Sequence, residues 1–127
     1  GNADEVVESL LVSDYAYHAI LTPKGELIAF CCFGKDGQVP GGNYDAKALD
    51  LGLGVRPDRT GQGQGDVYVQ AVLGLARRTW APRAYRVTIA AFNTRAQRVW
   101  QKAGFRPVER FESTHSHQPF VILLYGI

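Results

Sequence analysis

Residues 49–78 read LDLGLGVRPDRTGQGQGDVYVQAVLGLARR. Leu49, Leu51, Leu53 and Val55 alternate with Asp50, Gly52, Gly54 and Arg56. A period of two is the signature of a strand with one buried face. Pro57 and Asp58 stop it. Gly61, Gly63 and Gly65 then alternate with Gln62 and Gln64, and a helical pattern follows as far as Arg78. A turn with so little side chain bares its backbone N–H groups, and the helix behind it adds a partial positive charge. Strand, glycine-rich turn and helix together make an anion site, most naturally for phosphate.

Upstream, residues 15–22 (YAYHAILT) and 26–34 (ELIAFCCFG) read as two strands joined by a turn at Pro23, Lys24 and Gly25, an antiparallel hairpin. Residues 4–12 (DEVVESLLV) fit either a helix turn or an incoming strand. Residues 35–45 (KDGQVPGGNYD) are a glycine-rich loop that could sit over a site, with a plain surface connection the favoured reading. Downstream, Ala81-Pro82-Arg83 breaks the chain before a strand at 85–92 (YRVTIAAF). A short helix spans 93–103, where Ala96, Val99, Trp100 and Ala103 form one apolar stripe and Asn93 or Thr94 can cap the start. Gly104 stands where a left-handed cap needs glycine, and Phe105 can pack back on the last turn. Residues 108–113 and 120–125 are two final strands.

The order is therefore β-β-β-α-β-α-β-β. It implies an α/β (α+β) fold with a mixed, mostly antiparallel sheet and crossover helices in its second half. The strands at 49–55 and 85–92, joined by a helix, should be parallel neighbours, and α/β ligands bind at the carboxyl ends of such strands.

With 127 residues the chain is read as one domain, large enough to bury about two-thirds of its unfolded surface. Fourteen basic against twelve acidic residues leave +2, which argues for neither nucleic acid nor membrane as a partner. No apolar run approaches the roughly 20 residues of a membrane span, and a cytoplasmic protein is expected. Cys31 and Cys32 are adjacent, so on a strand they point to opposite faces and read as reduced structural thiols.

Three phosphate-binding turns compete for residues 61–65. The P-loop requires Gly-Lys followed by Ser or Thr, which is missing here. The dinucleotide fingerprint Gly-x-Gly-x-x-Gly fails, because the sixth position counted from Gly61 or Gly63 is Asp66 or Tyr68. The third fits. Val55-Arg56-Pro57-Asp58-Arg59-Thr60 followed by Gly-Gln-Gly-Gln-Gly resembles motif A of the GNAT superfamily of N-acetyltransferases. Asn93-x-x-Ala96 with Lys102-Ala103-Gly104-Phe105 is similar to that family's motif B. The resemblance runs from about residue 15 to the end of the chain. The family's opening strand and first two helices are expected to be absent or truncated, with 1–14 a remnant.

The resemblance implies acetyl-CoA as cosubstrate, no metal, and a primary amine that attacks the thioester directly. By that likeness, the backbone of Leu53, Gly54 and Val55 pairs with the pantetheine arm as an added strand would. On the same likeness Thr60, Gly61, Gln62, Gly63, Gln64 and Gly65 take the diphosphate and Asn93 reaches the pantetheine, while Trp100, on the apolar stripe, packs in the core or walls the cofactor. Thr60 stands where the family commonly has Arg or Gln, and Asp66 opens the helix beside the expected diphosphate. Trp100 stands where the family commonly has a tyrosine proposed to protonate the leaving thiolate, and indole cannot supply that proton. Asp50, on the non-leucine face of the central strand with Gly52 and Gly54, is the candidate base or amine-binding carboxylate.

Arg83, Arg86, Arg95 and Arg98 either reach the adenosine 3′-phosphate or form a solvated face, two readings of equal weight. His115 and His117 read as a solvated loop, lacking a third metal ligand. The expected partners are acetyl-CoA and an amine acceptor, with a homodimer as an allowed assembly. A second reading is an acyl-CoA-binding module, or part of an acetyltransferase, without turnover.

Overall fold

A computed structural model describes residues 8–11, 18–55 and 65–126. Its strands are β1 (Glu8–Leu11), β2 (His18–Leu21), β3 (Leu27–Phe33), β4 (Leu49–Val55), β5 (Tyr85–Ala90), β6 (Arg106–Glu112) and β7 (Pro119–Tyr125). Its helices are α1 (Gly65–Trp80) and α2 (Thr94–Lys102), and a 3-10 turn spans Lys35–Gly37. The strands form one sheet in the order β1-β2-β3-β4-β5-β7-β6. Every neighbouring pair is antiparallel except β4 and β5, which are parallel. The expected element order is present from β2 onward. One strand is added, because the segment that fitted either a helix turn or a strand supplies β1 and pairs with β2.

The leucine face of β4 meets α1. Leu51 is fully buried, while Leu49, Leu53 and Val55 pack against the same core. On α1 the buried residues are Tyr68, Val69, Val72, Leu73 and Ala76, a single stripe at helical spacing. The core joins this stripe to Ala29, Cys31 and Phe33 of β3, Val87 and Ile89 of β5, and Val121 and Leu123 of β7. Both cysteines are free, and burial pushes the Cys31 thiol up to about 12, which suits a packing role.

The turn from β5 into α2 follows local chemistry. Asn93 is the cap, its Oδ1 accepting from the Ala96 N–H at 3.1 Å. The helix ends at Gly104 with φ +111°, and the Phe105 ring meets Trp100 edge-on at 5.0 Å.

Residues 35–45 do more than connect β3 to β4. They fold over the sheet, where Tyr44 lies with its ring 4.9 Å from the Arg86 guanidinium and its hydroxyl 2.7 Å from the Thr88 hydroxyl. No spacing rule links a loop tyrosine to residues more than forty positions away, so this contact was not legible in the sequence.

Candidate functional site

The site begins where a ladder stops. β4 and β5 pair at Leu49↔Tyr85, Asp50↔Arg86 and Leu51↔Val87, and no further, although β4 runs on to Val55 and β5 to Ala90. Each strand stays anchored on its outer side, β4 to β3 as far as Val55 and β5 to β7 as far as Ala90. The two therefore part on their inner side only. Backbone groups of alternate residues point to the same neighbour along a strand. Leu49 donates its N–H to the Ala84 carbonyl, on the β5 side, at 2.9 Å. Leu53 and Val55, in phase with Leu49, therefore turn their N–H and C=O groups into the gap, past the last rung. Unmet backbone groups on a strand edge call for a partner, and an extended ligand can provide one.

A cleft of about 630 Å³ opens on that edge. Leu53, Gly54 and Val55 form one wall. Gly65, Asp66 and Tyr68, from the first turn of α1, form the second, and Asn93, Val99 and Trp100 form the third. Arg95 and Lys102 also line it. The two cations outnumber the one anion, Asp66, and the partial positive charge of the α1 N-terminus adds to them. Gly65 is required by packing: a Cβ there would come within 2.8 Å of the Val99 side chain. The absence of a side chain brings the first turn of α1 against α2 and sets the width of the cleft between them.

Leu53, Gly54, Val55, Gly65, Asn93 and Trp100, expected at the site from sequence, line this cleft together. Thr60, Gly61, Gln62, Gly63 and Gln64 lie outside the described residues. Trp100 is 3% exposed and packed on Phe105, which makes it a wall. The Asn93 carbonyl oxygen is committed to the helix cap.

Asp50 is placed elsewhere. It is not among the cleft-lining residues and is buried at 4% exposure. Its Oδ1 accepts from Arg86 Nε at 2.6 Å, and its Oδ2 accepts from Arg86 Nη2 and Gln38 Nε2, both at 2.8 Å. The same contacts remove Arg86 from the candidates for a phosphate. Its remaining nitrogen, Nη1, donates to the Ala46 carbonyl at 2.8 Å, and the Asp50 hydrogen bond holds its guanidinium above the ordinary arginine range. Sequence reading could not see this, because Asp50 and Arg86 are ladder partners only through the parallel register. Of the other arginines proposed for the 3′-phosphate, Arg95 lines the cleft.

Tyr68, Val69, Val99 and Lys102 line the cleft without having been singled out for it. The signal was faint: they lie on the facing sides of two helices whose approach depends on Gly65. Among the described residues no helix is long and apolar enough to cross a membrane, and no three His, Cys, Asp or Glu side chains gather to hold a metal ion.

The same architecture occurs in solved structures. A GnaT-family acetyltransferase from Bordetella pertussis superposes with TM-score 0.68 at 20% identity, covering 86% of this chain and 64% of that one. A GNAT-family acetyltransferase from Bacillus anthracis gives 0.65 at 18% identity, covering 85% and 64%. A spermidine N-acetyltransferase chimera from Vibrio cholerae and hSSAT gives 0.67 at 13% identity, covering 86% and 64%. The chain thus spans about 64% of the length of these structures. At such identities the likeness shows the fold. No curated protein sequence matches the chain. The profile of the acetyltransferase (GNAT) family matches residues 4–105, most of the sequence, and the chain belongs to that family.

Proposed function

We propose that the cleft binds acetyl-CoA and that the chain transfers the acetyl group to a primary amine. The observation that carries this reading is the early end of the β4–β5 ladder at Leu51↔Val87, beside a cleft that reaches the first turn of α1. The free edge at Leu53 and Val55 suits an extended chain bearing amides, as the pantetheine arm does. The N-terminus of α1 with Arg95 and Lys102 suits phosphates. Trp100 supplies an apolar wall.

Acetyl-CoA, when bound, supplies an acyl thioester with a good leaving group. The chain contributes position and electrostatics: the Leu53 and Val55 N–H groups are the donors available to polarise a carbonyl in the gap, and Leu53, Val99 and Trp100 give it apolar walls. Trp100 has no proton to give a thiolate, and Asp50 is bound into its ion pair. The amine therefore enters as the free base or passes its proton to solvent.

Calorimetric titration with acetyl-CoA, followed by a thiol-release assay across a set of amines, tests the reading. Binding with amine-dependent thiol release is the expected result. Absence of binding would refute it. Binding without release from any amine would favour the second reading, an acyl-CoA-binding module, which the lack of a proton donor at Trp100 supports. The same reading places the chain in the cytoplasm, with a primary amine as acceptor and a homodimer as an allowed assembly.

A further inference from the structure

Asp50 and Arg86 are ladder partners one rung before β4 and β5 part. Their side chains lie on the sheet face opposite the core that α1 covers, and the guanidinium spans the two strands with two hydrogen bonds to one carboxylate. The segment 35–46 closes over this pair at several points. Gln38 binds the β4 member, Ala46 accepts from the β5 member, and the Tyr44 ring covers the guanidinium. The Tyr44 hydroxyl accepts from the Val39 N–H at 2.9 Å and meets Thr88, the first residue of β5 beyond the last rung, at 2.7 Å. Gly37 lies flat on β4: a Cβ there would stand 3.2 Å from the Leu51 carbonyl oxygen. One loop thus grips both strands on either side of the point where they separate. Without it, Thr88 is free to pair opposite Gly52, and the Leu53 N–H would find the Thr88 carbonyl. The open edge would then close by a rung.

We infer that the Asp50–Arg86 pair, roofed by Tyr44, is a clasp that fixes where β4 and β5 part, and with it the depth to which the pantetheine arm of an acyl-CoA inserts. Asp50, Arg86 and Tyr44 are positioning residues for that arm, an inference that rests on the acyl-CoA reading above. The nucleotide half of the ligand would be held by α1 and the α2 cations, which the clasp does not touch. Loss of the clasp should therefore weaken binding of the arm while sparing the nucleotide.

The test uses the double variant Asp50→Leu with Arg86→Met, which removes both charges together so that neither is left buried alone, and Tyr44→Phe as a milder second variant. Binding of acetyl-CoA and of adenosine 3′-phosphate 5′-diphosphate, its nucleotide half, is measured by calorimetry on the full chain. The expected result is a loss of about tenfold for acetyl-CoA in the double variant, equivalent to about 1.4 kcal/mol. A smaller loss in the same direction is expected for Tyr44→Phe, with nucleotide affinity within about twofold of wild type in both. Unchanged acetyl-CoA affinity in both variants, or equal losses for the two ligands, would overturn the clasp while leaving the proposed function standing. A wild-type chain that fails to bind acetyl-CoA would overturn both.

Discussion

Replacing Arg86 alone by Met separates the energetics of the ion pair from its geometry. The substitution keeps an unbranched, shorter side chain but deletes three hydrogen bonds, two to Asp50 and one to the Ala46 carbonyl. It leaves Asp50, 4% exposed, with only the Gln38 amide to offset its charge. Removing one partner of a buried pair costs about 3–5 kcal/mol, because the surviving charge stays out of water without compensation. For a domain of this size that is a fall in Tm of roughly 12–20 °C. Adding Asp50→Leu removes the stranded charge, and an apolar pair of similar volume is often as stable as the ion pair it replaces. The double variant should therefore recover most of the loss. Urea unfolding of wild type, Arg86→Met and the double variant, at constant pH and salt, reads these differences directly. If Arg86→Met unfolds within about 0.5 kcal/mol of wild type, or the double variant is no more stable than the single one, the pair is not the buried clamp described here.

Three further outcomes are expected. Gly65→Val should drive side-chain atoms into Val99 and push α2 outward, costing about 1–3 kcal/mol of stability and weakening acetyl-CoA binding in calorimetry; Val99→Ala in the same chain should restore both. Arg95→Ala and Lys102→Ala should each lower acetyl-CoA affinity by about two- to fivefold, with a shallower dependence on salt than wild type shows. Burial depresses the His18 pKa below 6.5, and its Nδ1 has no hydrogen-bond partner among the described residues. The folded state therefore prefers the neutral ring, and this contribution to stability is complete above the unfolded value. It is lost as pH falls from there through the lowered folded value. Urea midpoints taken from about pH 7 down to about pH 5 should drop less steeply in His18→Phe than in wild type.

The sequence by itself determined what depends on neighbours along the chain. The period of two from Leu49 to Val55, the cap at Asn93 and the break at Gly104 each express a local conformational preference, so β4 and α2 were legible with their boundaries nearly intact. The two glycine- and asparagine-bearing motifs carried the family, because the residue types that free a backbone or cap a helix are few. Tertiary structure alone decided the rest. Where β4 and β5 part is a property of the register between two strands brought together in space, and neither strand encodes it singly. The role of Asp50 depended on which charge faced it across a parallel rung, and that charge is thirty-six residues away in Arg86. Tyr44 illustrates the same limit: its ring and hydroxyl find partners only once the loop has folded back over the sheet. Alternation could place Asp50 beside Gly52 and Gly54 on one face of a strand. Only the folded sheet could decide whether that face looks into the cleft or closes against an arginine, because burial and pairing of a charge depend on groups brought together through space.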